Sequence, residues 1–277
     1  MRTAPPPIFD RDLYLKRQAM ARGDGLVLLD QRIADELTDR LAVINRHFDT
    51  ALLIAPRHQA FSTHLAASAK FGKLQAREPS PNDDLGLAPQ SLNAVMSLLD
   101  LQAVNDVPGY MAQIARALKP DGLALFCFFA GDTLRELREC WLMAEQELLG
   151  GASPRVAPMI DLREAGGLLQ RAGLALPVAD TDRMTLRYAD ALSLMREIKL
   201  SGFSNCLSGR NTMCASRRLL LKVAETYIRD FSNPDGRIVS TLDFAWAMAW
   251  KPHESQQKPL QPGSAKARLA DALKPMP

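Results

Sequence analysis

The chain has no long hydrophobic run. Its longest unbroken apolar candidate, Leu123 to Ala130, is strand-sized and far below the roughly 18 residues that cross a bilayer. No basic segment followed by an apolar core opens the sequence, so the reading expects no secretory signal. Cysteine is scarce: Cys127, Cys140, Cys206 and Cys214 form no CxxC pair and no zinc spacing, which removes support for a disulfide framework or cysteine-held metal. No Ser-His-Asp, HExxH or phosphate-loop pattern is present, so hydrolase and nucleoside-triphosphatase readings have no footing. Excess charge is also small. Of the net +3, all is carried after Trp250 by Lys251, Lys258, Lys266, Arg268 and Lys274 against Glu254 and Asp271. The remaining chain is neutral, which argues against a nucleic-acid-binding face.

What is present is ordinary globular material, 47% hydrophobic and 23% charged in 277 residues. Residues 1–28 are expected to form a proline-rich leader and a charged motif, residues 29–252 the main domain, and 253–277 a flexible basic tail. Apolar residues at Leu29, Ile33, Leu37, Leu41 and Ile44 predict a helix. Thr50–Ile54 then reads as a strand buried on both faces. Helix follows at 60–69, strand at 73–76, strand at 92–99 and helix at 108–118. Lys119-Pro120-Asp121-Gly122 predicts a turn into the strand 123–129. This alternation implies right-handed crossovers and a mostly parallel sheet, so the fold class is α/β with helices on both faces. Further on, 134–149 reads as a helix that Asp132 or Thr133 could cap, 161–172 as a helix stopped by Gly173, and 178–188 and 241–250 as strands. Residues 190–232 between those strands form a mostly helical insertion.

The segment Ile114-Ala115-Arg116-Ala117-Leu118-Lys119-Pro120-Asp121-Gly122 resembles the helix-turn-strand of class I S-adenosylmethionine (SAM)-dependent methyltransferases. Phe9-Asp10-Arg11-Asp12-Leu13, Val104-Asn105-Asp106-Val107-Pro108 and Gly131-Asp132-Thr133-Leu134-Arg135-Glu136-Leu137-Arg138 sharpen the resemblance. Ser153-Pro154-Arg155, Ala172-Gly173-Leu174, Ala179-Asp180-Thr181-Asp182, Ser204-Asn205-Cys206 and Ala249-Trp250-Lys251-Pro252 extend it over about residues 8–252. Together they are similar to the methyltransferase-like assembly factors of respiratory complex I described as arginine hydroxylases. The resemblance implies a Rossmann-like sheet ending in an antiparallel pair, with the insertion over the cofactor cleft. It also implies a protein partner, a peripheral-arm subunit of complex I, and a cytoplasmic location peripheral to the inner membrane.

Two departures stand at the implied SAM pocket. Where the family places a glycine-rich turn after the first strand, this chain has Ala55-Pro56-Arg57. A Cβ obstructs close backbone approach, Pro56 removes a donor, and Arg57 brings a positive charge towards a sulfonium cation. Where the family places an acid at the end of the second strand, this chain has Arg77, which cannot accept a hydrogen bond. Asp83 and Asp84 fall near the position implied to read the adenine amino group. Ala55, Pro56, Arg57, Arg77 and Asp84 are thus the degenerate cofactor-binding positions, and Asp10, Arg11, Asp12, Asp132, Thr133 and Asn205 the candidate partner-binding ones. The charged cluster Asp10–Asp12 has no folding role visible in the sequence. Catalytic residues are not assignable. His58 and His64, six residues apart, read as surface histidines, and no metal site is recognised. Three functions remain open: a binding protein of impaired SAM affinity, an active SAM-dependent methyltransferase, and a protein-arginine hydroxylase.

Overall fold

The computed structural model describes residues 6–257; the greater part of the expected basic tail and the first five residues lie outside it. Two helices, α1 (Arg11–Ala19) and α2 (Asp24–Ala42), precede a six-stranded sheet. Its strands are β1 (Phe48–Ile54), β2 (Phe71–Arg77), β3 (Leu92–Leu98), β4 (Leu118–Ala130), β5 (Ala175–Tyr188) and β6 (Ile238–Trp250), in the spatial order β2-β1-β3-β4-β6-β5. The first four run parallel, with Ala51 beside both Leu74 and Ala94. β6 lies antiparallel between β4 and β5, pairing Trp246 with Cys127 and Asp180. The α/β class and the terminal antiparallel pair are as the sequence implies.

Strand alternation divides the core in two. Leu52, Val95, Phe126 and Phe128 face α4 (Val107–Ala117) and α6 (Leu162–Arg171). Leu53, Met96, Leu125 and Cys127 face α2 and α3 (His58–Ala67). Because both faces are covered, the centres of β1, β3 and β4 read as mainly apolar runs. Edge strand β5 instead alternates exposed and half-buried residues. Side-chain caps set several helix starts: Asp106 accepts from Gly109 N–H, Asp161 from Arg163 N–H, Asp190 from Ser193 N–H. The insertion supplies α7 (Ala191–Leu200) and α8 (Arg217–Phe231). α7 and the loop after it reach α1: Arg22 N–H donates to Leu200 O at 2.8 Å and Gln18 Nε2 to Gly202 O at 2.9 Å. α8 packs Leu219, Val223 and Tyr227 on Leu137, Cys140 and Trp141 of α5 (Arg135–Leu149).

Two expectations need correcting. Lys119–Gly122 is not a free turn but part of β4, where a register shift opposite Leu92–Ala94 and Asp121 at φ +63° absorb the bend. Nor do Asp132 and Thr133 cap α5. Leu134, at φ +54°, holds the cap position with no side-chain bond. The preceding loop is pinned to β6 instead. Thr133 Oγ1 accepts from Asp243 N–H at 2.9 Å, and the buried Glu136 carboxylate accepts from Thr241 N–H at 3.0 Å and its hydroxyl at 2.5 Å.

Candidate functional site

In open α/β sheets ligands lie beyond the carboxyl ends of the strands where the strand order reverses. Here that crevice lies beyond β1 and β3, whose ends lead into Ala55-Pro56-Arg57 and Leu99-Asp100-Leu101. It is filled by this chain's own helix α1. Three side chains of α1, Arg11, Tyr14 and Gln18, are buried there. The Arg11 guanidinium reaches Asp100 Oδ1 at 2.6 Å, Asp83 Oδ1 at 2.9 Å and Ser80 O at 2.7 Å. Burial works against its charge, but the two carboxylates outweigh it and raise its pKa. The Tyr14 hydroxyl donates to Leu99 O, and Tyr110 donates to Asp100 Oδ2 at 2.9 Å.

Arg57 closes the other side. Its Nε and Nη2 donate to Asp30 at 2.9 and 2.7 Å, its Nη1 meets Gln18 Oε1, and its guanidinium lies 5.4 Å from the Phe203 ring centroid. Ala55 and Pro56 are buried, and Ala55 N–H is spent on Arg77 O at 3.1 Å. Arg77 turns its Nη2 to Leu85 O at 2.7 Å. Asp84 is exposed and accepts only from Gly86 N–H, 2.9 Å away. The acid that enters the crevice network is its neighbour Asp83, which also accepts from Asn105 N–H at 2.8 Å.

The candidate partner-binding residues separate. Asp10 caps α1 through Leu13 N–H at 3.0 Å, and Arg11 is only 4% exposed. The Asp10–Asp12 cluster therefore has the folding role that the sequence did not reveal, with Asp12 alone facing solvent. Asn205 fixes its own loop, donating to Pro154 O at 2.7 Å and accepting from Leu207 N–H at 3.0 Å. Asp132 pairs with Arg183 at 2.8 Å on the sheet's far edge. His58 and His64 hold no shared site: His64 Nδ1 lies 3.1 Å from Ala60 O. Among the described residues no group of three His, Cys, Asp or Glu is placed to hold a metal, and no helix is long and apolar enough to cross a membrane.

Adjoining the plugged crevice, with Tyr14 as a shared wall, lies a cavity of about 290 Å³, also walled by Leu28, Phe129, Met159, Met184, Leu194 and Phe203. It sits between α2, α7 and the β5–β6 pair. Sequence reasoning missed it, together with Asp30, Asp100, Tyr14 and Gln18. One signal was available: Asp30 falls on the apolar stripe of α2 between Leu26 and Ile33, where a carboxylate is buried only with a partner.

The sheet order, the parallel-to-antiparallel switch and the crevice define a class I methyltransferase fold. Solved structures agree: YcgJ of Bacillus subtilis superposes with a TM-score of 0.52 at 14% identity, covering 80% of this chain and 99% of that one. A candidate methyltransferase from Bacillus halodurans gives 0.52 at 11%, covering 79% and 98%. No family model matches the chain. Its relatives are more specific. The arginine-hydroxylase NDUFAF5 of Rattus norvegicus is 33% identical over 95% of this chain and 83% of its own length, and that of Homo sapiens 31% over 93% and 81%. The chain belongs to the arginine-hydroxylase NDUFAF5 family. A malonyl-[acyl-carrier protein] O-methyltransferase of Laribacter hongkongensis is also similar, 29% identical over 89% of this chain and 90% of its own.

Proposed function

We propose that this chain is a protein-binding member of its family, engaging an arginine-bearing protein partner without SAM. The supporting observation is that Arg11, Tyr14 and Gln18 occupy the crevice in which the cofactor of a methyltransferase fold would lie. The residues there do not fit the cofactor. Arg57, held on Asp30, puts a large side chain where a glycine turn would leave room, and Arg77 offers a donor where ribose hydroxyls need an acceptor. The backbone donor of Ala55 is already used, and Pro56 has none. A fold retained while its cofactor residues change is a fold retained for its surface.

The partner follows from the relatives' name, arginine hydroxylase, and from the sequence resemblance to complex I assembly factors, which points to a peripheral-arm subunit. Biolayer interferometry of the full chain against purified peripheral-arm subunits tests this. Saturable binding of one subunit is expected, unchanged by added SAM. Binding of none of them overturns the reading, and binding only when SAM is present overturns the cofactor-free part of it.

A further inference from the structure

The 290 Å³ cavity carries chemistry that the plugged crevice does not. Glu197, projecting from α7, is among its lining residues, and the rest of the lining is dominated by apolar and aromatic side chains. The carboxylate rests directly against the first turn of α2: a Cβ on Gly25 would fall 1.9 Å from Glu197 Oε1. Among the described residues Glu197 has no ion-pair partner; its carboxylate accepts a hydrogen bond from the Tyr188 hydroxyl, which helps raise the Tyr188 pKa. The one cation in the lining, Arg155, is committed to Glu145 at 2.7 Å and lies over the Trp141 ring at 4.8 Å.

Gln102, 8% exposed, closes part of the cavity wall: its Nε2 donates to Leu99 O at 3.0 Å and to Tyr14 Oη at 3.1 Å, and its Oε1 is buried. Phe129, Phe203 and Tyr188 add aromatic surface to the same cavity. A carboxylate and aromatic faces around an apolar passage suit a flat, many-donor cation on an aliphatic stem. A guanidinium meets that description; an ammonium, compact and strongly hydrated, meets it less well. The volume is small for a nucleoside cofactor and suits one long side chain.

We propose that Glu197 is the specificity-determining residue of this cavity, receiving the guanidinium of an arginine side chain that a protein partner presents. The aliphatic and aromatic walls hold the stem. The inference rests on the reading above that the partner is an arginine-bearing protein, and it names where that arginine docks.

The probe is Nα-acetyl-arginine methylamide, titrated into the full chain by NMR beside the same derivatives of citrulline and lysine. Citrulline keeps the shape and removes the charge. Arginine is expected to bind at least tenfold more tightly than citrulline, and Glu197→Gln to erase that difference. Ala157→Trp, which fills the cavity without touching a charge, is expected to abolish arginine binding in a chain that still unfolds cooperatively. Equal affinity for arginine and citrulline in the native chain overturns the proposal, as does a Glu197→Gln chain that still prefers arginine. If Glu197→Gln fails to fold, the citrulline comparison and Ala157→Trp decide. Should a complex I subunit bind the native and Glu197→Gln chains equally well, the docking site is wrong while the protein-binding function stands. Should no subunit bind while the arginine preference holds, the failure lies with the partner.

Discussion

The Arg57 guanidinium grips the Asp30 carboxylate with two parallel hydrogen bonds, Nε to Oδ2 at 2.9 Å and Nη2 to Oδ1 at 2.7 Å. This pair joins the loop after β1 to α2 and places a neutralised cation where a methyltransferase presents glycine. Both side chains are largely buried, at 14% and 10% exposure. The geometry is the two-pronged one that makes arginine the residue for such sites.

Removing one member leaves the other charged and desolvated. Asp30→Asn is expected to cost about 3 kcal/mol in urea unfolding, whereas Asp30→Leu with Arg57→Met together restores most of that loss. A neutral Asp30→Asn would mean that water, not Asp30, satisfies Arg57.

The α1 plug has a similar asymmetry. Arg11→Met strands the buried Asp100 and its neighbour Asp83 and is expected to cost about 3–5 kcal/mol. Tyr14→Phe removes one donor from Leu99 O, which keeps the bond from Gln102, so a loss of about 1 kcal/mol is expected. Equal costs for the two would show that α1 is held by general packing instead of the Arg11 pairs.

Two glycines with nearly the same φ test how α1 is clasped by the insertion. Gly202, at φ +77°, would put a Cβ 2.8 Å from Arg17 O, while Gly173, at φ +79°, has nothing within 4 Å. Alanine at Gly173 is expected to cost about 1–2 kcal/mol for the left-handed backbone alone. Alanine at Gly202 must cost measurably more by denaturant titration. Equal losses would contradict the close approach of α1 to that loop.

Acid stability follows from Glu145. Burial opposes its charge, but bonds from Ser153 N–H at 2.6 Å, Ser153 Oγ at 2.8 Å and Arg155 Nε at 2.7 Å prevail and hold its pKa below the usual value of 4.5. As pH falls, the unfolded chain takes up the proton first. The stability Glu145 contributes is complete above about pH 4.5 and is lost as pH drops through the lower folded value. Glu145→Gln is expected to lower stability at neutral pH and to flatten its fall below about pH 5 in thermal unfolding. An unchanged acid slope would remove Glu145 from this role.

Much of the fold was legible because burial on both faces writes strands as apolar runs: Leu92–Leu98 and Leu123–Ala130 could be read directly. Edge strand β2 was read short, at 73–76, because a half-buried strand carries little apolar signal. The loss of glycine at Ala55-Pro56-Arg57 was equally plain. What replaced it was not. Arg11 meets Asp100 across 89 positions and Arg57 meets Asp30 across 27, and neither pairing leaves a local trace. Thr133 looked like a helix cap because Ser, Thr and Asp commonly are; its hydroxyl was taken instead by the distant backbone of Asp243. Glu197 was unremarkable in a helix of mixed composition until Gly25 was seen against it.

The central claim is that this chain has exchanged cofactor for its own side chains. Isothermal titration of SAM and S-adenosylhomocysteine into the purified full chain, with thermal unfolding in parallel, tests it most directly. Ligand at about 100 times its dissociation constant would add roughly 2.7 kcal/mol of stability, which such a scan detects. The account predicts no heat and no shift at millimolar ligand. Micromolar binding of either compound would contradict it, and would mean that α1 leaves the crevice when cofactor arrives.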